Sequence, residues 1–586
     1  MSDTHLLITE NIDVWTTAIK KRSATGRGSN KKIELAGIKK LRELILELAV
    51  RGQLVPQDPN DEPASVLLEK IAAEKKQLIK DKKIKKPKSL PEIDEDEKSL
   101  KLPNGWEWIR LGNFAEVKGG KRLPKGHVLV NYKTPYAYIR VTDMKEGSIN
   151  INRLLYLEGQ TQELIKQYTI SKSDLYITIA GTIGNIGTIP DELDGMNLTE
   201  NAAKIIFSSV NRLWLKQSLS ASFSQRQFLE KTNQLAQPKL ALHRILSSVI
   251  ALPPPAEQHR IVTKVDELMA LCDQLEQQTE ASITAHKTLV ETLLATLSNS
   301  ETPAAFKQNW TKIAEHFDTL FTTEHSIDQL KQTILQLAVM GKLVPQNPND
   351  EPASVLLEKI AAEKELLIKD KKIKKQKPLP EITEDEKPFE LPCGWEWSNL
   401  SDILALVTDG DHQAPPKSDS GIPFLVIGNL NTGTVSFDSC RYVPTSYFEN
   451  LDWGRKPTEG DILYTVTGSY GIPIKVTSKK QFCVQRHVAI LKSTPASPIQ
   501  YLNFLFLAKY AFEYATEIAT GIAQKTVPLT GLRKMPIAVP PEMEQHRIVK
   551  KVEELMTLCD QLKARLNEAQ TTQLQLANTI VEQAVN

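Results

Sequence analysis

Residues 253–275 read PPPAEQHRIVTKVDELMALCDQL, and residues 540–562 read PPEMEQHRIVKKVEELMTLCDQL. Eighteen of the 23 positions are identical across an offset of 287 residues, so the chain contains a duplication. Each copy carries an apolar stripe with alternating steps of four and three. It runs through Ile261, Val265, Leu268, Cys272 and Leu275 in the first copy, and through Ile548, Val552, Leu555, Cys559 and Leu562 in the second. That spacing predicts a long helix whose apolar seam closes on a partner helix. The second seam is expected to continue through Leu566, Ala569, Leu576 and Ile580, broken by Gln573. Pro253–Pro255 and Pro540–Pro541 end the preceding strand and mark each helix entry. Cys272 and Cys559 read as packing residues. His259–Arg260 and His546–Arg547 lie in first turns beside Glu257 and Gln258, where capping explains them better than catalysis.

A second repeat shows the order of the parts. Residues 41–108 recur at 330–397 with 52 of 68 positions identical. In mid-chain the EQHR block precedes this block, whereas at the chain ends the two blocks are split, one at each terminus. A circularly permuted two-fold repeat explains that order. The shorter block supplies a candidate partner helix, with Ile38, Leu41, Ile45 and Leu48 on one face and Ile327, Leu330, Ile334 and Leu337 on its counterpart. Gly52 and Gly341 sit where a helix C-terminal glycine belongs. The lysine runs DKKIKKPK (81–88) and DKKIKKQK (370–377) read as solvated linkers beside an acidic run. The carboxylate–lysine pattern at Asp96–Lys98 is discounted for its low-complexity setting.

At 586 residues the chain exceeds a single core, and 41% hydrophobic with 25% charged residues is ordinary for a globular protein. Its five cysteines form no CxxC pair, which points away from zinc and from a disulfide framework. The N-terminus lacks a basic-then-apolar signal layout, and no run reaches the roughly 18 apolar residues of a membrane span. A cytoplasmic protein without a membrane partner is expected. The net charge of +2 is unevenly spread. Region 109–252 has 18 Lys+Arg against 11 Asp+Glu and region 398–539 has 13 against 11, so these two carry +9 and the remainder −7. A basic surface on the variable regions suits a polyanion.

Both variable regions open with GWEW, at Gly105–Trp108 and Gly394–Trp397. A polar loop follows, VKGGKRLPKGH (117–127) in one and VTDGDHQAPPKSDSGIPFLVIGNL (407–430) in the other. Next come DLYITIAGTIGN (174–185) and DILYTVTGSYGI (461–472), whose alternating Ile, Tyr and Thr predict strands joined at a glycine turn. The G-x-x-G turns could cradle phosphate but lack the helix and lysine of a P-loop. The regions end alike, with LAQPKLALHRI (235–245) and IAQKTVPLTGL (522–532).

In their order and doubling, the GWEW opening, DGDHQAPP loop, DILYTVTGSYG hairpin, AQK turn and PPEMEQHRI helix entry resemble the specificity subunits of type I restriction–modification systems. The likeness covers nearly all of the chain from about residue 35, and the inserts at 52–103 and 341–392 suggest the subgroup with extended conserved regions. The first region departs from the pattern, with GGKRLPKG in place of DGDHQAPP. The resemblance implies an α/β (α+β) fold, a pseudo-two-fold, circularly permuted repeat. In it, two globular target recognition domains are separated by two long antiparallel coiled-coil helical regions. The expected parts are a flexible N-terminus (1–32), an N-terminal conserved helical region (33–104), a first recognition domain (105–252), a central conserved region with a long helix (253–393), a second recognition domain (394–539) and a C-terminal conserved helix (540–586).

It further implies a non-catalytic subunit that binds an asymmetric bipartite site in double-stranded DNA and docks two modification and two restriction subunits. S-adenosylmethionine, ATP and magnesium belong to those partners, and no cofactor is expected in this chain. In agreement, the sequence has no Asn/Asp-Pro-Pro-aromatic methyltransferase motif, no Walker A motif and no H-E-x-x-H. A self-contained nuclease or methyltransferase, or a helical adaptor without DNA readout, would be the alternatives. Major-groove chemistry favours Arg or Lys on guanine and Asn or Gln on adenine. The candidate DNA contacts are Lys121, Arg122, Arg140, Thr182, Asn185 and Lys239 in the first domain. In the second they are His412, Gln413, Ser469, Tyr470, Arg486 and Lys525.

The doubled helix is expected to act as a ruler. Seven residues inserted after Gln278 preserve the heptad phase and add about 10 Å of helix. The non-specific spacer of the DNA target should then lengthen by about one to three base pairs, at about 3.4 Å each, with both half-sites unchanged. Mapping methylated adenines in cells carrying the variant measures this. An unchanged spacer in a folded, partner-bound variant would show that something else sets the distance.

Overall fold

The computed structural model describes residues 7–21, 33–81, 89–230, 238–412, 415–430, 432–522 and 524–585. The chain divides into two compact units, Met1–Ser282 with Ala569–Asn586, and Ile283–Glu568. Both EQHR blocks open helices of 44 residues, Pro255–Ser298 and Glu542–Val585, and the division into units falls within each of them. Each helix is about 66 Å long at about 1.5 Å per residue.

The stripe on these helices departs from the expected heptads. One line of buried and half-buried positions from Ile261 to Leu297 runs through 265, 268, 272, 275, 279, 283, 286, 290 and 294, a mean step of 3.6 residues, with Val262, Lys264, Met269, Glu276 and Leu293 flanking it. In the second helix Ala569 and Leu576 are exposed, while Gln573, Ala577 and Ile580 turn inward. A strict 3.5 repeat holds only if the helices supercoil. A straight helix drifts by about 20° per heptad, which moves the seam one residue along by its second half. The inner positions of the first halves (Ile261, Val265, Leu268, Cys272, Ile548, Val552, Cys559) are buried, and Leu275, Leu555 and Leu562 are half-buried.

The partner helices form as read. Ala36–Val50 buries Ile38, Leu41, Ile45 and Leu48, and Glu324–Val339 buries Ile327, Leu330, Ile334 and Leu337. Arg42 of the first reaches Asp273 (2.7 Å) and Glu276 (2.5 Å) on the long helix of its unit. In the other unit Lys331 pairs with Asp560 (2.5 Å) and Lys563 with Asp328 (2.8 Å). Both partner helices end in the same motif. Gly52 N–H donates to Ala49 O and Gln53 N–H to Leu48 O, with Gly52 at φ +67°. Gly341, at φ +68°, repeats it with Ala338 and Leu337. The left-handed conformation explains the glycine at both sites.

The repeated first turn holds each variable region to its helix. Glu257 is 1% exposed; its Oε2 accepts from Trp106 Nε1 (2.9 Å) and its Oε1 from Gln57 Nε2 (2.9 Å). Glu544, also 1% exposed, accepts from Trp395 Nε1 (3.1 Å) and Gln346 Nε2 (3.1 Å). Arg260 is paired with Asp61 (2.6 Å) and Arg547 with Asp350 (2.5 Å). The EQHR and GWEW motifs are two halves of one joint, a role that the structural reading of the His–Arg pairs did not extend to the Glu beside them. The acidic runs also pack. Glu95–Glu97 forms a 3-10 turn, and Glu97 makes a two-pronged pair with the buried guanidinium of Arg110 (2.6 and 3.0 Å). Along 370–377 the lysines are exposed and Ile373 is buried; residues 82–88 of the first lysine run lie outside the described residues.

The N-terminus corrects an expectation of flexibility. Within 7–21, Ile12–Thr17 is helical, Trp15 is fully buried, and Ala18 O accepts from Gly37 N–H at 2.8 Å. Burying the indole and two neighbouring apolar residues, Val14 and Ala18, anchors this stretch to the partner helix.

Each variable region opens and closes on one antiparallel ribbon, Glu107–Arg110 with Val249–Leu252, and Glu396–Asn399 with Pro536–Val539. Inside the first lies an antiparallel sheet in the order Ile186–Thr188, Leu175–Thr178, Ala202–Phe207, Ala115–Gly119. A second sheet pairs Ala137–Ile139 parallel to Met196–Leu198. The other domain repeats this with Pro473–Lys475, Ile462–Thr465, Val488–Lys492 and Leu406–Asp409, and with Ile422–Leu425 parallel to Cys483–Val484. Beneath its main sheet Lys492 and Asp461, each 1% exposed, pair at 2.6 Å.

Burial pushes the Glu257 and Glu544 carboxyls above the usual carboxylate value, against the hydrogen bonds that oppose it. The folded state therefore holds these protons more tightly than the unfolded chain. The associated stability is full below the ordinary value of 4.5 and is lost as pH rises through the raised one. Glu257→Ala leaves the Trp106 and Gln57 donors unpaired and should cost about 1–3 kcal/mol per donor. In urea unfolding that deficit should be largest at acid pH and narrow as pH rises. A deficit independent of pH would place the titration elsewhere.

Candidate DNA interface

Chain direction brings the polar loops of each domain to one end of its sheets. In the first domain Leu175–Thr178 and Ala115–Gly119 end there, and Ile186–Thr188 and Ala202–Phe207 begin there. The parallel pair Ala137–Ile139 and Met196–Leu198 ends on the same rim, so the turn 199–201 crosses between the two sheets at its centre. Thr199 N–H donates to Ile139 O (3.1 Å), Ala202 N–H to Thr199 O (3.2 Å) and Ile179 N–H to Asn201 O (2.8 Å).

The hairpin loop 179–185 is braced from within. Buried Thr178 closes it by its backbone with Asn185 O (2.9 Å) and with Gly184 N–H (2.9 Å), while its hydroxyl accepts from Asn185 N–H (2.9 Å) and donates to Thr182 O. Lys239 joins the loop through its bridge to Ala180. Thr182 and Lys239 are exposed here, and Asn185 is half-exposed. Lys121 and Arg122 leave the adjacent strand on the same rim, both exposed. Lys121 lies over the Tyr168 ring (5.4 Å), and Arg122 Nε is 3.7 Å from Glu200. Arg140 differs from expectation. Its Nε and Nη2 grip Asp143 (3.0 and 2.7 Å), and Nη2 also donates to Arg153 O. A guanidinium so engaged shapes the 141–143 turn and does not present a free fork to a base.

The second domain repeats the frame. Thr465 closes the loop 466–472, its Oγ1 accepting from Ile472 N–H (3.0 Å), and Gly468 N–H donates to Lys525 O (3.1 Å). Gly471 has φ +90° and Gly184 φ +85°, conformations this closure requires. Ser469, Lys525 and Arg486 are exposed on the rim. His412, also exposed, lies 3.0 Å from Asp409; Gln413 falls outside the described residues. Tyr470 departs from expectation: its ring stacks on Phe512 (5.8 Å between centroids) and its hydroxyl bonds Thr516 (3.2 Å). That contact holds the hairpin to the helix Lys509–Ile518 and leaves the ring half-buried. Thus the rim gathers all six residues expected in the first domain and five of six in the second, Gln413 lying outside the described residues, while Arg140 and Tyr470 on those rims face inward partners.

A family model described as the Type I restriction modification DNA specificity domain matches residues 103–285 and again 392–570. The chain belongs to that family. It is 40% identical to the Type I restriction enzyme EcoEI specificity subunit of Escherichia coli and 39% identical to the EcoAI specificity subunit of the same species, each over 99% of both chains. Among solved structures, the HsdS subunit from Thermoanaerobacter tengcongensis is 18% identical, with a TM-score of 0.38 over 83% of this chain and 98% of that one.

In this specificity-family chain, sequence reasoning missed two features of the rim. Asp411 binds Arg455 (2.5 Å) and Tyr447 (2.9 Å), so part of the DGDH loop is structural. The crossover turns were missed except for Arg486. Thr199–Asn201 and Gln485–His487 begin 21 and 20 residues after the hairpin threonines, a spacing visible in the sequence without any shared motif. Burial and the neighbouring Arg486 push the His487 imidazole below its usual value, favouring a ring with one donor and one acceptor. Among the described residues no cluster of three or more His, Cys, Asp or Glu could hold a metal, and no helix is long and apolar enough to cross a membrane.

Thr465→Val removes the hydroxyl that accepts the Ile472 amide and should destabilise the second domain by about 1–3 kcal/mol. Amide exchange within 466–472 should accelerate while strand protection persists. Unchanged loop exchange would show that the hydroxyl does not brace the hairpin.

Proposed function

We propose that this chain is the recognition subunit of a type I restriction–modification complex, binding double-stranded DNA at two unlike half-sites, one per domain. The observation that carries this reading is the doubled rim: the same backbone frame presents Lys121, Arg122 and Lys239 in one domain and His412, Arg486 and Lys525 in the other. Conserved hydrogen bonding fixes where side chains project, and divergent side chains fix what they meet. Family membership and the specificity-subunit relatives support it.

Bond-making chemistry is assigned to partners. Two modification subunits would bind S-adenosylmethionine and methylate adenine N6, and two restriction subunits would use ATP and magnesium. The exposed outer faces of the conserved helices are the proposed docking surfaces. All of this would take place in the cytoplasm, without a membrane partner. The excess of +9 on the variable regions, against −7 elsewhere, places the attraction for phosphate where the readers are.

Replacing 398–539 with a second copy of 109–252 should convert the methylated target into an interrupted palindrome. Sequencing methylated adenines after expression with the modification partner measures this. Continued modification of an asymmetric target would defeat the two-reader assignment. A chain with no effect on target choice at all would be an adaptor.

A further inference from the structure

The crossover turn occupies the same place in both domains by hydrogen bonding, independent of sequence likeness. Gln485 N–H donates to Leu425 O (3.0 Å), as Thr199 N–H does to Ile139 O (3.1 Å). Val488 N–H donates to Gln485 O (3.1 Å), as Ala202 N–H does to Thr199 O (3.2 Å). Val466 N–H donates to His487 O (3.0 Å), as Ile179 N–H does to Asn201 O (2.8 Å). Thr199, Glu200 and Asn201 therefore correspond to Gln485, Arg486 and His487. The middle position is an acid in one domain and a base in the other.

An acid at the centre of a surface that meets phosphates is repelled by them, so it needs a local reason. Packing leaves the carboxylate unsatisfied. Glu200 Oε2 is enclosed without a hydrogen-bond partner among the described residues, and Oε1, on a side chain still 33% exposed, has the loose approach of Arg122 at 3.7 Å. Major grooves expose two kinds of amino donor, cytosine N4 and adenine N6, and a carboxylate accepts from cytosine N4. At the matching position Arg486, exposed beside His487 (3.4 Å), has the fork that fits guanine O6 and N7.

We propose that the crossover turn is a base-reading element shared by both domains, in which Glu200 selects a cytosine amino group in the first half-site and Arg486 selects guanine in the second. This rests on the DNA-recognition reading above. It adds that one structural position, by its charge, makes the two half-sites unlike.

The test uses the complete chain with its modification partner on a pool of duplexes randomised across both half-sites, reading which duplexes become methylated. Wild type should return a bipartite motif; a pool methylated without such a motif would defeat the DNA-recognition reading itself. Given the motif, Glu200→Gln should reduce discrimination about ten- to a hundredfold at one base pair of the first half-site, leaving the second intact. Arg486→Ala should do the same at one base pair of the second half-site only. Arg122→Ala serves as the control for an acid that merely orients its neighbour, and should leave the preference at the base pair relaxed by Glu200→Gln intact. The proposal is overturned if Glu200→Gln leaves the first half-site unchanged, if it weakens every sequence equally, or if Arg122→Ala reproduces its single-position effect.

Discussion

A buried carboxylate at the first turn of a long helix is the joint on which each half of this protein depends. Glu257 and Glu544 are each 1% exposed, and each accepts one indole N–H and one amide. Those donors come from opposite ends of the shorter conserved block, Gln57 with Trp106 and Gln346 with Trp395. One carboxylate thus ties together a helix, a connecting segment and the opening strand of a recognition domain. The arrangement is demanding because burial opposes ionisation, and even the full set of donors offsets it only in part. The same requirement explains why EQHR and GWEW recur together across both copies: neither is satisfied without the other.

From that joint outward, rigidity reaches the rim through the backbone. The opening strand pairs with the closing strand, the domain's sheets hang between them, and their polar ends converge on one side. Buried Thr178 and Thr465 then use their hydroxyls to close the hairpin loops from beneath. Most loop side chains are left to vary because the loop shapes rest on main-chain bonds, two threonines and a few inward contacts such as Tyr470 on Phe512 and Asp411 with Arg455. A scaffold whose shape does not depend on its exposed residues can carry different readers in its two copies.

Charge follows the same division. The conserved parts hold their charges in pairs, such as Arg42 with Asp273, Arg260 with Asp61 and Arg547 with Asp350, where each side chain has an assigned structural partner. On the rims, Lys121, Arg122, Lys239, Arg486 and Lys525 are exposed, and their excess remains available to a polyanion.

The sequence by itself determined the duplication, its permuted order, the long helices and their partners, the glycine stops and the paired hairpins. All of these are local patterns or repeats, and repeats are visible without coordinates. Family resemblance was legible for the same reason. The tertiary structure decided what depends on residues distant in sequence. Whether Arg140 faces DNA depended on Asp143 and Arg153 reaching it first, and whether Tyr470 does depended on Phe512, 42 residues away. The packed N-terminus depended on a surface that could bury Trp15. The inward turn of Ala577 in place of Leu576 depended on how far the buried line drifts along a 44-residue helix, which a 3.6-residue period shifts by about 20° per heptad. The match of Glu200 to Arg486 shows no motif at all. Only the backbone hydrogen bonds of two parallel strands bring those residues to one position, because chain geometry, and not residue identity, fixes where a turn between sheets must lie.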